Sequence, residues 1–114
     1  MWSVVVHSEA VAELAALPAP ERVAIVNAFQ KLEALGPTLP FPHSSAIKDA
    51  DRLRELRPRA GRSPWRAFYR QMGDVIFVVG AIGPEAAVKP RDFIRAVRSA
   101  EDRLNKIEQD EEGH

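Results

Sequence analysis

The sequence predicts an α+β fold: a four-stranded, mainly antiparallel twisted sheet with an N-terminal helical hairpin and a C-terminal helix, in the order β-α-α-β-β-β-α. Three observations carry that prediction. First, Leu53–Pro58, Trp65–Arg70 and Val75–Ile82 are strand-like runs separated by the Arg59-Ala-Gly-Arg-Ser-Pro64 loop and a Gly73-Asp74 turn, the pattern of a β-meander. Second, two stretches between Ser8 and Leu35 show helical spacing on either side of Pro18 and Pro20. Third, Phe93, Val97, Ala100, Leu104 and Ile107 step by four, three, four and three, one apolar seam on a long helix.

Trp2-Ser-Val-Val-Val6 is β-branched and apolar and reads as a short strand that pairs somewhere in the sheet. Ser8 is the expected N-cap of the first helix, with Glu9 favourable in its first turn. Val11, Leu14, Ala15 and Leu17 share a face, and Pro18 ends the helix. Pro20 suits the first turn of the second helix, where its missing N–H costs nothing. Ile25, Phe29, Leu32 and Leu35 form its core stripe, widened by Val23 and Val26. Gly36-Pro37 stops it. The proline-rich stretch Pro37–Pro42 is expected to be irregular, with His43-Ser44-Ser45 after it and a short turn over Ala46–Asp51.

In the meander, residue parity places Trp65, Ala67 and Tyr69 on one face of their strand and Arg66, Phe68 and Arg70 on the other. Val75–Ile82 does not alternate, the mark of a central strand covered on both faces. Gly83-Pro84 breaks it, Glu85–Lys89 is a loop, and Pro90 opens the last helix. An acidic tail frayed from about residue 110 is expected to close a single domain spanning residues 1–114.

Composition narrows the classes of function. The chain is 46% hydrophobic, enough for a modest core and against global disorder. It has no cysteine, so no disulfide framework and no thiolate chemistry. No basic segment leads into a long apolar run at the N-terminus, and the apolar run Val75–Val79 is too short to span a bilayer, so a cytoplasmic protein without a membrane partner is expected. No metal-ligand spacing and no glycine-rich phosphate loop is present, so no cofactor is expected.

The formal net charge of zero hides an uneven distribution. Lys48, Arg52, Arg54, Arg57, Arg59, Arg62, Arg66 and Arg70 face only Asp49, Asp51 and Glu55 in the same stretch, while the segment after Glu101 is acidic. Such a rim either recruits a polyanion or keeps a sheet edge soluble.

Leu53-Arg-Glu-Leu-Arg57, followed by Trp65-Arg66-Ala-Phe-Tyr69, resembles the paired motifs of RelE/ParE-superfamily toxins, and within them the HigB-like, phage Gp49-like branch of type II toxin–antitoxin systems. The resemblance covers nearly the whole chain in element order and spacing. It implies the RelE-like sheet-and-hairpin fold, and a metal-independent endoribonuclease that cleaves mRNA on the ribosome and inhibits translation. It also implies a cognate helix-turn-helix antitoxin, through which alone the toxin meets operator DNA. The ParE branch poisons gyrase instead, and a degenerate member would bind nucleic acid without cutting. Where HigB-like toxins carry a Lys-Lys pair after the last core strand, this chain reads Ile82-Gly83-Pro84-Glu85, with Lys89 and Arg91 the nearest cations. The departure shifts the work toward the meander arginines.

Cleavage of this kind uses the RNA 2′-hydroxyl as nucleophile and needs proton transfer and stabilisation of a pentavalent phosphate. Arg57 and Arg66 match family positions for the phosphate, since a planar guanidinium fits its oxygens. Arg66 also faces an alternative, an ion pair with Glu55 on the neighbouring strand. Tyr69 either stacks on a base or belongs to the core, and His43 is either an acid–base group or an exposed loop histidine. Lys48, Arg54, Arg59, Arg62, Arg70, Lys89 and Arg91 complete the candidate RNA-binding set.

Overall fold

A computed structural model describes residues 1–112. The strands are β1 (Ser3–Val6), β2 (Ser44–Ala46), β3 (Arg54–Leu56), β4 (Trp65–Gln71) and β5 (Ile76–Pro84). The helices are α1 (Ser8–Ala15), α2 (Ala19–Leu35) and α3 (Pro90–Glu112). The sheet order is β1-β5-β4-β3-β2. β1 lies parallel to β5, and the remaining pairs are antiparallel. The α+β class and the β3-β4-β5 meander are as predicted, with β5 an interior strand between β1 and β4.

The sheet has five strands rather than the expected four. Ser44–Ala46 has no strand pattern of its own, yet it pairs with β3 through Ser44↔Leu56, Ser45↔Glu55 and Ala46↔Arg54. Ser44 is buried, and its hydroxyl is tied to the Tyr69 hydroxyl and to Arg54 Nε. These bonds satisfy a polar side chain in the core, which periodicity does not register.

The helical hairpin covers one face of the sheet. Its core joins Ala10, Leu17, Ile25, Phe29 and Leu32 to Leu56, Ala67, Tyr69, Phe77, Val79 and Ile82. On α2 the buried stripe runs through Ala24, Ile25, Ala28, Phe29 and Leu32. Val23, Val26 and Leu35, expected in that stripe, are exposed at 59%, 42% and 45%. Small Ala24 and Ala28 face the sheet, so the helix is rotated away from the valines. The N-cap of α1 is His7 rather than Ser8, its ring Nδ1 accepting from the Glu9 N–H.

α3 covers the other face, over Leu53, Phe68, Val78 and Ala81, with Val97, Ala100 and Leu104 on its buried side. The helix approaches β5 closely. A Cβ on Gly80 would lie 3.0 Å from the Ala100 Cα, and one on Gly83 would lie 2.5 Å from the Ala96 Cβ. Gly80 is also the extra residue of a β-bulge, since Phe68 pairs with Ala81 and Tyr69 with Val79. α3 runs through Glu112, and Gly113 and His114, the end of the acidic tail expected to fray, lie outside the described residues. Among the described residues no helix is long and apolar enough to cross a membrane.

Candidate nucleic-acid interface

The sheet register builds a charged cluster on the α3 side, beside the part of the face that the helix covers. Ser45 pairs with Glu55, and Glu55 with Phe68. Residues two apart on a strand share a face, so Leu53, Glu55 and Arg57 point with Phe68, and so does Arg66. Phe93, in the first turns of α3, meets Phe68 edge-on at 5.4 Å and borders the cluster.

Glu55 is the hub. Its Oε1 accepts from Ser45 Oγ at 3.1 Å and from an Arg57 terminal nitrogen at 2.8 Å. Its Oε2 faces Arg66 Nε at 3.8 Å. Arg66 is 2% exposed. Its fork donates to the Ser63 carbonyl at 2.6 Å, the Trp65 carbonyl at 2.9 Å and Glu85 Oε2 at 2.7 Å. Burial, and after it the neighbouring Arg57 charge, pushes the Arg66 guanidinium below its ordinary value against the pull of Glu55 and Glu85. It remains a cation at neutral pH, as arginine does in proteins. The Nε atoms of Arg57 and Arg66 are buried without a hydrogen-bond partner among the described residues. Arg70 Nε, on the same face beneath α3, is likewise buried without a partner, and what distinguishes Arg57 and Arg66 is the carboxylate they share, Glu55.

The loop between β3 and β4 is shaped around this cluster. Arg59, Ala60 and Gly61 take φ values of 54°, 56° and 92°, three successive left-handed residues. For Arg59 and Ala60 that conformation costs roughly 1 kcal/mol each. Gly61 packs so closely that a Cβ there would lie 2.8 Å from an Arg57 terminal nitrogen. The loop is fastened to α2 by Glu21, which takes Arg59 at 2.7 and 3.0 Å and the Ser63 hydroxyl at 2.7 Å. The Arg59 hydrogen bond, then that of Ser63, holds the Glu21 carboxyl below its usual range.

The structure separates the remaining candidates. Tyr69 lies on the opposite face, 2% exposed, with its ring edge-on to Phe77 at 5.5 Å. His43 lines a cleft of about 240 Å³ between α2 and β3, together with Lys31, Leu56 and Arg57. Arg54 shares the Tyr69 face and donates to Ser44. Arg70 is fully buried beneath α3, donating to Glu108 at 2.6 Å, Asn105 at 2.9 Å and the Asp51 carbonyl at 2.9 Å. Lys48, Arg62, Lys89 and Arg91 are exposed. Arg57 and Arg66 are thus the pair brought together. Glu55 enters the cluster as their shared partner rather than only as Arg66's, and Glu85, read from sequence as the acid in place of a lysine pair, becomes a direct ligand of Arg66. The alternation of Leu53, Glu55 and Arg57 was the available signal for a shared face, blurred by Arg54 on the opposite parity.

Comparison with known proteins agrees with this architecture. Residues 12–82 match the family described as phage derived protein Gp49-like (DUF891). No curated protein matches the sequence. Among solved structures, the intact RelBE toxin–antitoxin complex of E. coli contains a chain that superposes with a TM-score of 0.59 at 14% identity, over 75% of this chain and 98% of that one. A mutant of E. coli toxin RelE in the free state gives 0.60 at 14% identity, over 85% and 95%. The archaeal RelE–RelB complex from Pyrococcus horikoshii OT3 gives 0.54 at 20% identity, over 73% and 93%. The family match spans more than half of the chain, so the chain belongs to the phage-derived Gp49-like family, and the superpositions show that its fold is RelE-like.

Proposed function

We propose that this chain is the toxin of a toxin–antitoxin pair and a metal-independent endoribonuclease that cleaves mRNA in the cytoplasm, on the ribosome. The observation that carries the reading is the convergence of Arg57 and Arg66 on one sheet face around Glu55. A phosphate diester offers oxygens to guanidinium groups, and the developing pentavalent phosphate offers more negative charge than the ground state. Exposed Lys48, Arg62, Lys89 and Arg91 add long-range attraction for RNA. Two of the similar structures hold RelE with RelB, which supports a cognate antitoxin here, in this branch a helix-turn-helix protein that alone contacts operator DNA.

The Arg66–Glu85 contact favours one second reading. Glu85 already occupies the Arg66 fork, so a member that binds nucleic acid without cutting it, or a gyrase poison, uses the same face differently. Expression of the chain alone in bacteria, with transcript 5′ ends mapped, separates the readings. New ends within translated codons are expected. DNA damage with intact transcripts would point to gyrase, and unimpaired growth with folded protein present would overturn the toxin reading.

A further inference from the structure

We infer that Glu55 is the general base of the cleavage reaction, an assignment that rests on the ribonuclease reading above. Among the described residues it is the carboxylate that faces both Arg57 and Arg66, one oxygen toward each. Its side chain is 14% exposed, and that of Arg57 22%, so the cluster is reached from solvent although Arg66 is nearly sealed. A phosphate that engaged the two arginines would lie against the Glu55 carboxylate, which contacts both. That proximity puts the ribose 2′-hydroxyl within reach of a proton acceptor.

The other proton-transfer candidates are placed elsewhere. Tyr69 is on the opposite face in the core. His43 lines the cleft beside α2, which Arg57 also borders but Glu55 and Arg66 do not. Glu85 holds the outer end of the Arg66 fork, at the terminal nitrogen rather than at Nε. The groups facing Glu55 are Ser45 from β2, Arg57 from its own strand and Arg66 from β4, with Glu85 behind Arg66.

The step balances without a co-reactant beyond water. Glu55 takes the proton of the 2′-hydroxyl, and the 2′-oxygen forms a bond to phosphorus. The bond from phosphorus to the 5′-oxygen breaks, leaving a 2′,3′-cyclic phosphate. The 5′-oxygen takes a proton from solvent, and Glu55 later returns its proton to solvent.

The test compares full-length wild type, Glu55→Gln and Glu55→Asp in single-turnover cleavage of a labelled mRNA, on programmed ribosomes and free, across a range of pH. Binding is measured separately on a 2′-deoxy version that cannot be cut, and folding by thermal melting. Glu55→Gln should lose about 10²–10⁴-fold in rate. It should bind the deoxy analogue at least as tightly as wild type, because a negative charge beside the phosphate is gone. The fall in wild-type rate toward acid pH should vanish in Glu55→Gln and persist in Glu55→Asp. A Gln variant that cuts like wild type would overturn the assignment. So would one whose lost cutting is matched by lost binding, since Glu55 would then only position the arginines. A wild-type protein that cuts neither RNA sample would overturn the ribonuclease reading itself, and the assignment with it.

Discussion

Arg66 and Arg70 are four residues apart on the same strand, point to the same face and are both buried, yet the fold treats them differently. Arg70 is held by a helix. Glu108 and Asn105 reach it from α3 and the Asp51 carbonyl from the turn after β2, and no part of it meets solvent. Arg66 is held by loops. Its partners are the carbonyls of Ser63 and Trp65, the Glu85 carboxylate at the end of β5 and, more distantly, Glu55. A cation under a helix can only fasten that helix down. A cation among loop carbonyls can exchange a partner for a ligand, even though its acids Glu55 and Glu85 are essentially no more open than Glu108. The difference arises from where α3 lies, with Ala100 and Leu104 on Gly80 and Ala96 on Gly83, rather than from the arginines.

The largest effects come from removing the Arg70 cation and from replacing the Arg66 fork with a point charge. Arg70→Ala should destabilise the protein by about 3 kcal/mol, because it strands Glu108, Asn105 and the Asp51 carbonyl. For a domain of this size that lowers the melting temperature by roughly 10–20 °C. Arg70→Met combined with Glu108→Gln should recover part of the loss, since an apolar stem in place of a buried pair is tolerated. RNA cleavage per folded molecule should be unchanged in both. Arg66→Lys should do the reverse, keeping most of the stability while cleavage falls about 10²–10³-fold, because an ammonium cannot reproduce the fork. Equal effects of the two substitutions on stability and cleavage would erase the distinction.

How much of this was legible follows from the same pair. Parity correctly put Arg66, Phe68 and Arg70 on one face, and the meander, the helix-opening Pro90 and the Phe93-to-Ile107 seam were readable because each rests on local spacing. What separates Arg66 from Arg70 comes from Glu85 and Glu108, which lie 19 and 38 residues further along the chain. Sequence spacing within β4 carries no information about either. β2 was missed for a related reason: Ser44-Ser45-Ala46 is a strand because β3 pairs with it and Tyr69 satisfies its buried hydroxyl. Val23 and Val26 fit the α2 stripe by spacing, but alanines took the inner positions.

A gentler perturbation sharpens the Arg66 side. Glu85 stands where a lysine pair was expected, and its side chain is 25% exposed. If RNA phosphate competes with it for the Arg66 fork, Glu85→Gln should tighten binding of a non-cleavable RNA by about five-fold, near 1 kcal/mol. The melting temperature should move little, because the neutral amide still accepts from Arg66. Unchanged affinity at low salt would mean that RNA never reaches this fork, and that Arg66 is as structural as Arg70.

The smallest effect belongs to the helix side and is read through pH. The Arg52 hydrogen bond, then the Arg70 charge, holds the Glu108 carboxyl below its usual range against the cost of burial. A carboxylate whose folded value is depressed contributes stability that is fully present above its unfolded value and is lost as pH falls through the folded one. Urea midpoints of wild type should therefore drop on acidification by more than those of Glu108→Gln, whose neutral amide has nothing to titrate. Glu21, depressed by Arg59 at the loop anchor, should show a weaker version of the same difference in Glu21→Gln, below about 1 kcal/mol, because Arg59 is 42% exposed and its pair is screened by solvent. Glu108 is tied both to exposed Arg52 and to sealed Arg70. An acid response of equal size at the two glutamates would mean that the Arg52 contact alone carries the Glu108 effect, and that burying Arg70 beneath α3 adds nothing to the pair.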